Sequence, residues 1–328
     1  MSRQLISKLV ALIAGIALIF VAYNHNQSSI YLINGNAYGT TWSIKSSEYI
    51  GDHHKENIIT IINRIDYVAS NYKKDSEISL INQSKNNFHF VSNDLFKILS
   101  IAKEVEEKSL GFYNILLGKI SSNLGFSPTF GNELVHKKNS SFKLDEQNQS
   151  LEKLSDNWFD LSSIAKGYAV QEIHHYLVKE NLVNHLIDIG GEIIASGNND
   201  DESWKIGIQN PFSILDDATI VIDNDLKFIA IASSGEYRNY ISDKNGNKQT
   251  HTINPKTLKS IENEILSVSV ISDTSATYAD AYATAFNAMG SELALSLANK
   301  EDIALMLIIN NSDNVEILYS NKWYDENI

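Results

Sequence analysis

The chain reads ISDTSATYADAYATAFNAMG from Ile271 to Gly290. Small apolar residues at helical spacing fill this stretch, and they surround one acid, Asp280, which is followed one turn later by the hydroxyl of Thr284. Residues four apart share one face of a helix, so these two oxygen-bearing side chains are expected to point at one place. No Lys or Arg lies between Lys259 and Lys300, so no side chain of this stretch can neutralise the acid.

Asp280 can be interpreted in two ways. A lone carboxylate on a packed helix face is costly to bury unless a positive group meets it. Hard oxygen ligands without a neighbouring base suit Mg²⁺, which completes its shell with water and phosphate. The alternative is a solvated or salt-bridged helix residue, which is the commoner situation for an isolated Asp.

The composition describes an ordinary globular protein. The chain has 328 residues, of which 43% are hydrophobic and 20% charged, enough for one large domain or two moderate ones. The formal net charge of −13 argues against nucleic acid as a partner. The chain has no cysteine, which excludes disulfides, thiol chemistry, Cys-based zinc sites and a lipid-modified Cys.

The N-terminus contains an apolar run, LVALIAGIALIFVAY, at residues 9–23. As a helix this run spans about 22 Å, or about 28 Å if it begins at Leu5, against a hydrocarbon core of about 30 Å. A cleaved signal peptide would look similar, but Phe20 and Tyr23 stand where small residues normally precede a cleavage site. The run is therefore predicted to be an uncleaved membrane anchor, with secretion after cleavage as the alternative.

The charge distribution gives the expected orientation. Basic residues precede the apolar run and none follows it until Lys45, so the N-terminus is expected in the cytoplasm and the body of the chain outside. The predicted organisation is an anchor or signal segment at residues 1–23, a linker at 24–35 and one domain over 36–328.

Helices and strands are predicted in groups rather than in strict alternation. Helices are predicted near residues 58–69, 95–105 and 162–180, and strands near 38–44, 185–189, 204–209, 218–222, 228–232, 265–271, 304–309 and 315–319. The polar stretch 137–155 is predicted to be a loop or a weak hairpin. This grouping favours an α+β fold over a doubly wound parallel sheet.

The segment DLSSIAKGYA, residues 160–169, is predicted to open a helix. Asp160, Ser162 and Ser163 can cap this helix by accepting bonds from free backbone amides, which is worth about 1 kcal/mol. The same amides can instead hold an anion such as a phosphate. Lys166, one turn on, can contact that phosphate or remain solvated.

Further candidate residues follow along the chain. In LIDIGGEIIASG, Gly190 and Gly191 indicate a turn or a close approach of the backbone to a ligand. In HTINP, His251 is either a base or phosphate partner or an ordinary surface histidine. The pairs at 53–54 and 174–175 lack supporting ligands at metal spacing and are not interpreted as metal sites.

The chain resembles the FAD:protein FMN transferase (ApbE) family in the order of its segments, over roughly residues 36–290. These segments are NAYGTTWSI, NYKKDSEISLIN, GFYNILLGKI, DLSSIAKGYA, LIDIGGEI, ASSGEYRNY, HTINPKT and SVSVISDTSATYADAYATA. The resemblance implies a two-lobed α+β domain of T-fold type with mixed or antiparallel sheets, preceded here by the N-terminal apolar helix. It also implies Mg²⁺-dependent transfer of FMN from FAD to a threonine hydroxyl of an acceptor protein, with release of AMP.

The resemblance also implies roles for individual residues by matching position. Asp280 and Thr284 would bind Mg²⁺, joined by an oxygen of Ser163. The positions that match flavin contacts are Tyr38, Tyr72, Phe112, Tyr113, Asn114, Asp160, Lys166 and Ile253. His251 matches a histidine of the active-site region and is expected to help the incoming hydroxyl lose its proton, so His251 and Asp280 are the predicted catalytic residues. The aromatic residues suit stacking on flat rings, with ordinary core packing as the alternative.

The chain departs from the family pattern at four positions. Asn114 stands where Asp is usual, Lys119 replaces a nearby Pro, Asn254 replaces the Asp of His-x-x-Asp-Pro, and Leu258 replaces a Gly. The loss of two carboxylates weakens the negative charge near the flavin and the metal.

The departures leave three functions to compare. They are the transferase, an FAD pyrophosphate hydrolase giving FMN and AMP, and a non-catalytic FAD-binding protein. For a transferase, the resemblance suggests an acceptor flavoprotein subunit of a membrane redox complex as partner. The predicted location is the bacterial inner membrane, with a single anchor and the body on the periplasmic side.

Overall fold

The structure is a computed structural model that describes residues 7–8, 12–19, 30–128, 135–136, 141–211, 218–225, 227–235, 240–242, 248–311 and 314–325. Residues 12–19 are helical, and the further helices are α1 (Asp52–Ala69), α2 (Glu77–Gln83), α3 (Asn93–Lys108), α4 (Gly118–Leu124), α5 (Ala165–Lys179), α6 (Ala276–Met289), α7 (Ser291–Lys300) and α8 (Asn321–Asp325).

The strands are β1 (Tyr31–Ala37), β2 (Thr40–Ser46), β3 (Phe88–Phe90), β4 (Phe142–Asp145), β5 (Ser150–Lys153), β6 (His185–Ile189), β7 (Glu192–Ser196), β8 (Asn198–Asn199), β9 (Glu202–Ser203), β10 (Lys205–Gln209), β11 (Ala218–Asp223), β12 (Ile229–Gly235), β13 (Tyr240–Ser242), β14 (Lys248–Thr250), β15 (Ile253–Asn254), β16 (Lys259–Ser260), β17 (Ile265–Ser272), β18 (Ala304–Asn311) and β19 (Asn314–Tyr319).

One eight-stranded sheet organises the chain, in the order β1-β2-β6-β7-β12-β17-β18-β19. Each neighbouring pair in this sheet is antiparallel. Smaller sheets accompany it, namely β3-β5-β4 and the pairs β10-β11, β13-β14, β15-β16 and β8-β9. Hairpins join consecutive strands such as β1 and β2 or β6 and β7, and a hairpin makes its two strands antiparallel.

The sheet is buried on both faces because its central strands alternate between two hydrophobic clusters. In β18, Leu305 and Leu307 pack into the larger cluster with the helices, whereas Met306 and Ile308 pack into a second cluster. That second cluster contains Trp204 and other residues of the region from β9 to β11. Successive side chains of a strand point to opposite faces, so the near-continuous apolar run of β18 serves two cores.

Helix α6 packs directly on the sheet and against α5. Its sequence is rich in Ala, and eleven of its fourteen residues are buried. Small side chains let the axes of α5 and α6 approach closely: a Cβ built on Gly167 of α5 would lie 2.5 Å from the backbone oxygen of Ala276. This close approach brings the start of α5 beside Asp280.

The structure confirms the α+β grouping and the weak hairpin, which is β4 and β5. Mixed sheets, which the resemblance allowed, do not occur among the described strands, because every recorded pairing is antiparallel. The strand predicted to run through Tyr38 is interrupted there, since Tyr38 and Gly39 form the turn of the β1–β2 hairpin with positive φ.

The structure bears differently on the predicted anchor at residues 1–23 and on the predicted linker at 24–35. The predicted anchor lies largely outside the described residues. In the described part of the chain, no helix is long and apolar enough to cross a membrane. The predicted linker is wrong for residues 31–35, which belong to β1. Their alternation is hard to recognise because the strand contains Asn34, Gly35 and Asn36, residue types that are rare in strands.

Candidate active site

The described residues enclose a cleft of about 1260 Å³ between the start of α5, the middle of α6, the β6–β7 turn and the loop after α3. Every residue predicted for the site from the sequence lines this cleft: Tyr38, Tyr72, Phe112, Tyr113, Asn114, Asp160, Ser163, Lys166, His251, Ile253, Asp280 and Thr284. The volume falls above the range typical of small-ligand pockets, so the cleft can take a large, dinucleotide-sized ligand.

Asp280 is 5% exposed and lies on the face of α6 that meets α5. Its Oδ2 accepts a hydrogen bond from the backbone N–H of Gly167 at 2.9 Å. Burial raises the pKa of this carboxyl, while the Lys166 ammonium and the Gly167 N–H act in the opposite direction. The sequence correctly excluded a basic partner from the same stretch, and the structure supplies Lys166 from another helix instead.

Lys166 forms an ion pair with Glu192, whose Oε2 lies 2.5 Å from the Lys166 Nζ. Glu192 is almost fully buried and its pKa is raised by that burial. The solvated interpretation of Lys166 is therefore wrong. Lys166 lines the cleft. Its ammonium pairs with Glu192, and the electrostatic interaction with Asp280 also favours the protonated lysine.

Asp188 and Glu192 were not singled out from the sequence, although both line the cleft. They flank the turn formed by Gly190 and Gly191, whose φ angles are +63° and +101°. The Gly191 N–H donates to Asp188 Oδ1 at 2.9 Å, and burial raises the pKa of Asp188. The signal that could have found Asp188 is its position between Ile187 and Ile189 in a strand that is predicted to be buried.

We call Asp188, Glu192 and Asp280 the acidic cluster. One lysine, Lys166, lies among these three acids, and burial raises the pKa of each acid because it disfavours the charged form. Such a concentration of buried carboxylates is stabilised by a further cation.

The donor set beside Asp280 suits Mg²⁺. Asp280 keeps one carboxylate oxygen that does not bind Gly167, and the hydroxyls of Ser163 and Thr284 line the same cleft. All of these donors are oxygens, and Mg²⁺ is usually held by few protein oxygens together with water and phosphate. The residues present therefore fit the metal that the sequence suggested.

Ser163 is held in place by Tyr113. The Ser163 hydroxyl donates to the Tyr113 hydroxyl oxygen at 3.1 Å. Tyr113 is 1% exposed, and burial raises the pKa of its phenol. Its ring therefore belongs to the core and supports Ser163, rather than offering a face on which a flavin could stack.

Asp160 does not cap α5, contrary to the first interpretation of this segment. Its Oδ1 accepts bonds from the N–H and the hydroxyl of Ser162, at 3.0 and 2.7 Å, within a turn that precedes the helix. The helix begins later, at Ala165, and its N-cap is Ile164 without a side-chain cap. In the first turn of α5, the Gly167 N–H donates to Asp280, so it is not available to bind a phosphate.

Tyr38, Tyr72 and Phe112 are further aromatic residues that line the cleft. The Tyr38 hydroxyl donates to the Ile62 carbonyl at 2.8 Å, and the Tyr72 hydroxyl donates to the Phe126 carbonyl at 2.6 Å. The ring of Phe112 has the Lys256 ammonium 5.4 Å from its centre. These contacts orient Tyr38, Tyr72 and Phe112 in the lining of the cleft.

Ile253 lies in the short strand β15 and His251 lies between β14 and β15, and both residues line the cleft. His251 is exposed, and its ring lies edge-on to Phe126 with 6.5 Å between ring centres. Ile253 is 8% exposed and begins β15. The structure therefore brings His251 into the same cleft as Asp280, as the sequence predicted.

Two departures from the family pattern have a local explanation. Asn114 donates through Nδ2 to Glu106 Oε1 at 2.8 Å and accepts from the Leu116 N–H at 2.7 Å. An Asp at this position would place a second carboxylate against Glu106, which disfavours ionisation of both. Asn254 accepts from the N–H of Lys256 and donates through Nδ2 to the Ala288 carbonyl, a bond that an ionised Asp could not make.

The other two departures from the family pattern are Leu258 and Lys119. Leu258 has φ +59°, the left-handed conformation in which a Gly avoids roughly 1–2 kcal/mol of steric strain. Lys119 is buried at the start of α4 and its ammonium pairs with Asp156 at 2.9 Å. None of the four departures removes a member of the acidic cluster.

A test of the acidic cluster concerns the pH dependence of stability. Because burial raises the Glu192 pKa, the folded protein binds more protons at this residue than the unfolded chain does above about pH 4.5. The contribution of Glu192 to the free energy of unfolding therefore falls as pH rises, by at most about 1.4 kcal/mol per pH unit. We expect Glu192→Gln to gain stability relative to the wild type between pH 5 and pH 8, measured by urea unfolding.

The matched control is Glu262→Gln, at an exposed glutamate outside the cleft. It reports the effect of removing a glutamate charge from the surface. A Glu192→Gln curve that runs parallel to that of the wild type over the same pH range would contradict the assignment of a raised pKa to Glu192.

Comparison with known proteins gives one consistent group. The model of the ApbE family matches residues 38–307. The FAD:protein FMN transferase of Haemophilus influenzae is 30% identical over 329 residues, covering 94% of this chain and 93% of that protein. The FAD:protein FMN transferase of Escherichia coli K12 is 28% identical over 310 residues, with 87% and 86% covered. The solved structure of the flavin transferase ApbE from Vibrio cholerae is 27% identical, with a TM-score of 0.77 over 90% of this chain and 99% of that one.

Proposed function

Because this chain belongs to the ApbE family and is an FAD:protein FMN transferase, we propose that it transfers FMN from FAD to a threonine hydroxyl of an acceptor protein, with Mg²⁺, and releases AMP. The observation that carries the proposal is the oxygen donor set of Asp280, Thr284 and Ser163 in a cleft large enough for FAD. In the two-lobed arrangement that the resemblance implies, this cleft is the FAD site between the lobes.

The proposed reaction breaks the phosphoanhydride linkage of the FAD pyrophosphate and forms a phosphate ester with threonine. The threonine oxygen forms a bond to the phosphorus of the FMN half, and the bond from that phosphorus to the bridging pyrophosphate oxygen breaks. The electron pair of the broken bond stays on the AMP phosphate, and the proton of the threonine hydroxyl passes to a base. Such a reaction depends mainly on positioning and on neutralising charge.

Different residues of the chain would bind the metal and position its ligands. Asp280, Thr284 and Ser163 would hold Mg²⁺, which when bound neutralises negative charge on the pyrophosphate. Tyr113 orients Ser163, and the Gly167 N–H fixes Asp280.

Lys166 adds a positive charge at the same place. Its ammonium is held by Glu192, so little reorganisation is needed when a phosphate arrives. The rings of Tyr38, Tyr72 and Phe112 and the side chain of Ile253 line the cleft and would provide apolar faces for the flavin. Asn114 and Asp160 offer side-chain polar groups to the same ligand.

The location of the protein follows as a second part of the proposal. The apolar run at residues 9–23 is proposed to anchor the chain in the bacterial inner membrane, with the catalytic domain on the periplasmic side. The acceptor is then proposed to be a flavoprotein subunit of a membrane redox complex, exposed on that side. Protease protection in spheroplasts tests this: the domain should be digested from outside the cell, and protection would contradict the orientation.

The reaction is tested by incubating the chain with FAD, Mg²⁺ and a threonine-bearing acceptor domain. AMP release is measured together with flavin fluorescence of the acceptor band on a denaturing gel. A fluorescent band with stoichiometric AMP supports the transferase. AMP without a band over a panel of acceptors supports an FAD hydrolase, and bound FAD with neither product supports a non-catalytic binding protein.

A further prediction concerns His251 as the acceptor of the hydroxyl proton. We expect His251→Ala to lower the rate of transfer by roughly 10²–10⁴-fold, because a positioned base is lost. The affinity for FAD, measured by fluorescence titration, should change little. His89→Ala is the control, since His89 lies outside the cleft. Transfer by His251→Ala at the wild-type rate would remove His251 from the mechanism.

A further inference from the structure

A second group of possible metal ligands lies away from the cleft, in the part of the chain that the structure describes. His53 and His54 stand in the first turn of α1, and Glu180 follows the last residue of α5. One ligand atom from each of these three residues lies within 4.8 Å of the other two. We propose that this His-His-Glu group binds one divalent transition-metal ion of the Zn²⁺ class.

His54 is oriented as a metal ligand usually is. Its Nδ1 lies 2.9 Å from the hydroxyl of Tyr176, and the Asn57 amide donates to the same hydroxyl at 3.0 Å. A tyrosine oxygen can accept both bonds, so His54 can carry its proton on Nδ1 and keep the Nε2 lone pair for a metal. Metal-binding histidines commonly donate their second ring N–H to such a partner.

The three residues differ in exposure, with His54 buried and the other two at the surface. His53 and Glu180 are exposed, which leaves the position between the three residues accessible to an incoming ion and water.

The ligand types select the metal. Two imidazole nitrogens and one carboxylate oxygen suit Zn²⁺ and neighbouring transition metals, whereas Mg²⁺ prefers oxygen ligands alone. Three protein ligands leave a fourth position for water in tetrahedral geometry. The ligand set is therefore distinct from the oxygen donors around Asp280, and the two sites should prefer different ions.

The helix dipoles act in opposite directions at this site. The N-terminus of α1 carries partial positive charge, which disfavours a cation, whereas Glu180 lies at the C-terminal, negative end of α5. The Glu180 carboxylate adds a full negative charge on that side. A bound ion would therefore connect the start of α1 to the end of α5, two helices that already pack together.

The connection reaches the cleft through α5. This helix begins at Ala165, so Lys166 and Gly167 lie at one end and the proposed metal site lies just past the other end. A metal at Glu180 would restrain the helix that positions the partners of Asp280. It would stabilise the fold without contacting FAD.

The test uses the untagged full-length chain, freed of metal with a chelator and kept in excess Mg²⁺. Zn²⁺ is titrated in competition with a chromophoric chelator, and Co²⁺ serves as a spectroscopic probe of tetrahedral coordination. We expect one equivalent of Zn²⁺ to bind and to raise the melting temperature. His53→Gln and Glu180→Gln should each weaken Zn²⁺ binding by at least about tenfold.

The controls separate this site from the cleft and from other histidines. Asp280→Asn should retain the Zn²⁺ equivalent, and His89→Gln should bind as the wild type does. Because His53 and Glu180 are exposed, their variants should fold, which circular dichroism can verify. Absence of Zn²⁺ binding, or unchanged binding in both ligand variants, would overturn the proposal.

Discussion

We expect Asp280→Ala to lower both AMP release and flavin transfer by roughly a thousandfold at saturating Mg²⁺. The substitution removes the only carboxylate among the proposed metal ligands Ser163, Asp280 and Thr284. It also leaves the Gly167 N–H without the acceptor that now lies 2.9 Å away. Initial rates over a series of Mg²⁺ concentrations measure the effect.

The fold should survive this change. Burial raises the pKa of Asp280, so the loss of its charge does not itself destabilise the fold, and the main cost is the unpaired Gly167 N–H, about 1–3 kcal/mol. Asp280→Asn keeps an oxygen for Gly167 and should fold as the wild type does while remaining inactive. Asp273→Ala, at an exposed acid just before α6, is the control for activity. Wild-type turnover by Asp280→Ala would exclude the metal assignment.

The second large effect is expected from Gly167→Ala. The added Cβ would lie 2.5 Å from the Ala276 carbonyl oxygen and 2.6 Å from the Asp280 Cβ. The first of these neighbours is helix backbone, which cannot rotate away as a side chain does. We expect a loss of roughly 1–3 kcal/mol in the free energy of unfolding, measured with urea. Turnover should fall as well, because α5 and α6 must separate where Asp280 and Lys166 meet.

Gly51→Ala is the matched control for this substitution. Gly51 has φ −78°, and the nearest atom to its added Cβ is in the Tyr49 ring at 3.2 Å, which can move. Because Gly is preferred to Ala at an N-cap, the loss of stability should be at most about 1 kcal/mol, the low end of that expected for Gly167→Ala. A Gly167→Ala protein as stable and active as Gly51→Ala would show that the two helices have room to separate.

The helix that carries Asp280 and Thr284 could be predicted from the sequence alone. Its spacing is regular over several turns, and an acid among alanines is conspicuous. The partners of Asp280 were not predictable in the same way, because Lys166 and Gly167 reach it from a helix more than a hundred residues earlier. Only the packing of the two helices brings these groups together.

The local errors have a common cause, which is the chemistry of short polar residues. Asp160 and Ser162 are residue types that commonly cap helices, but here they hydrogen-bond to each other in a turn just before the helix. In β1, Asn34 and Asn36 resemble a linker although the segment pairs with β2. Such residues satisfy the backbone in several conformations, so their presence does not decide among them.

The histidine pair at 53–54 shows the limit of spacing rules for metals. The sequence gives these adjacent histidines no supporting ligand at metal spacing, so it does not predict a metal site there. Glu180 supplies that ligand through the packing of α1 and α5. A search by sequence spacing detects sites within one element, whereas this group is assembled from two.

The position of β18 has a consequence for when the protein can fold. Met306 and Ile308 complete one hydrophobic cluster, while Leu305 and Leu307 complete the other. The strand that completes both lies near the end of the chain, so neither cluster can close until synthesis is nearly finished. We therefore expect nascent chains that end before Ala304 to remain sensitive to protease and to bind chaperones.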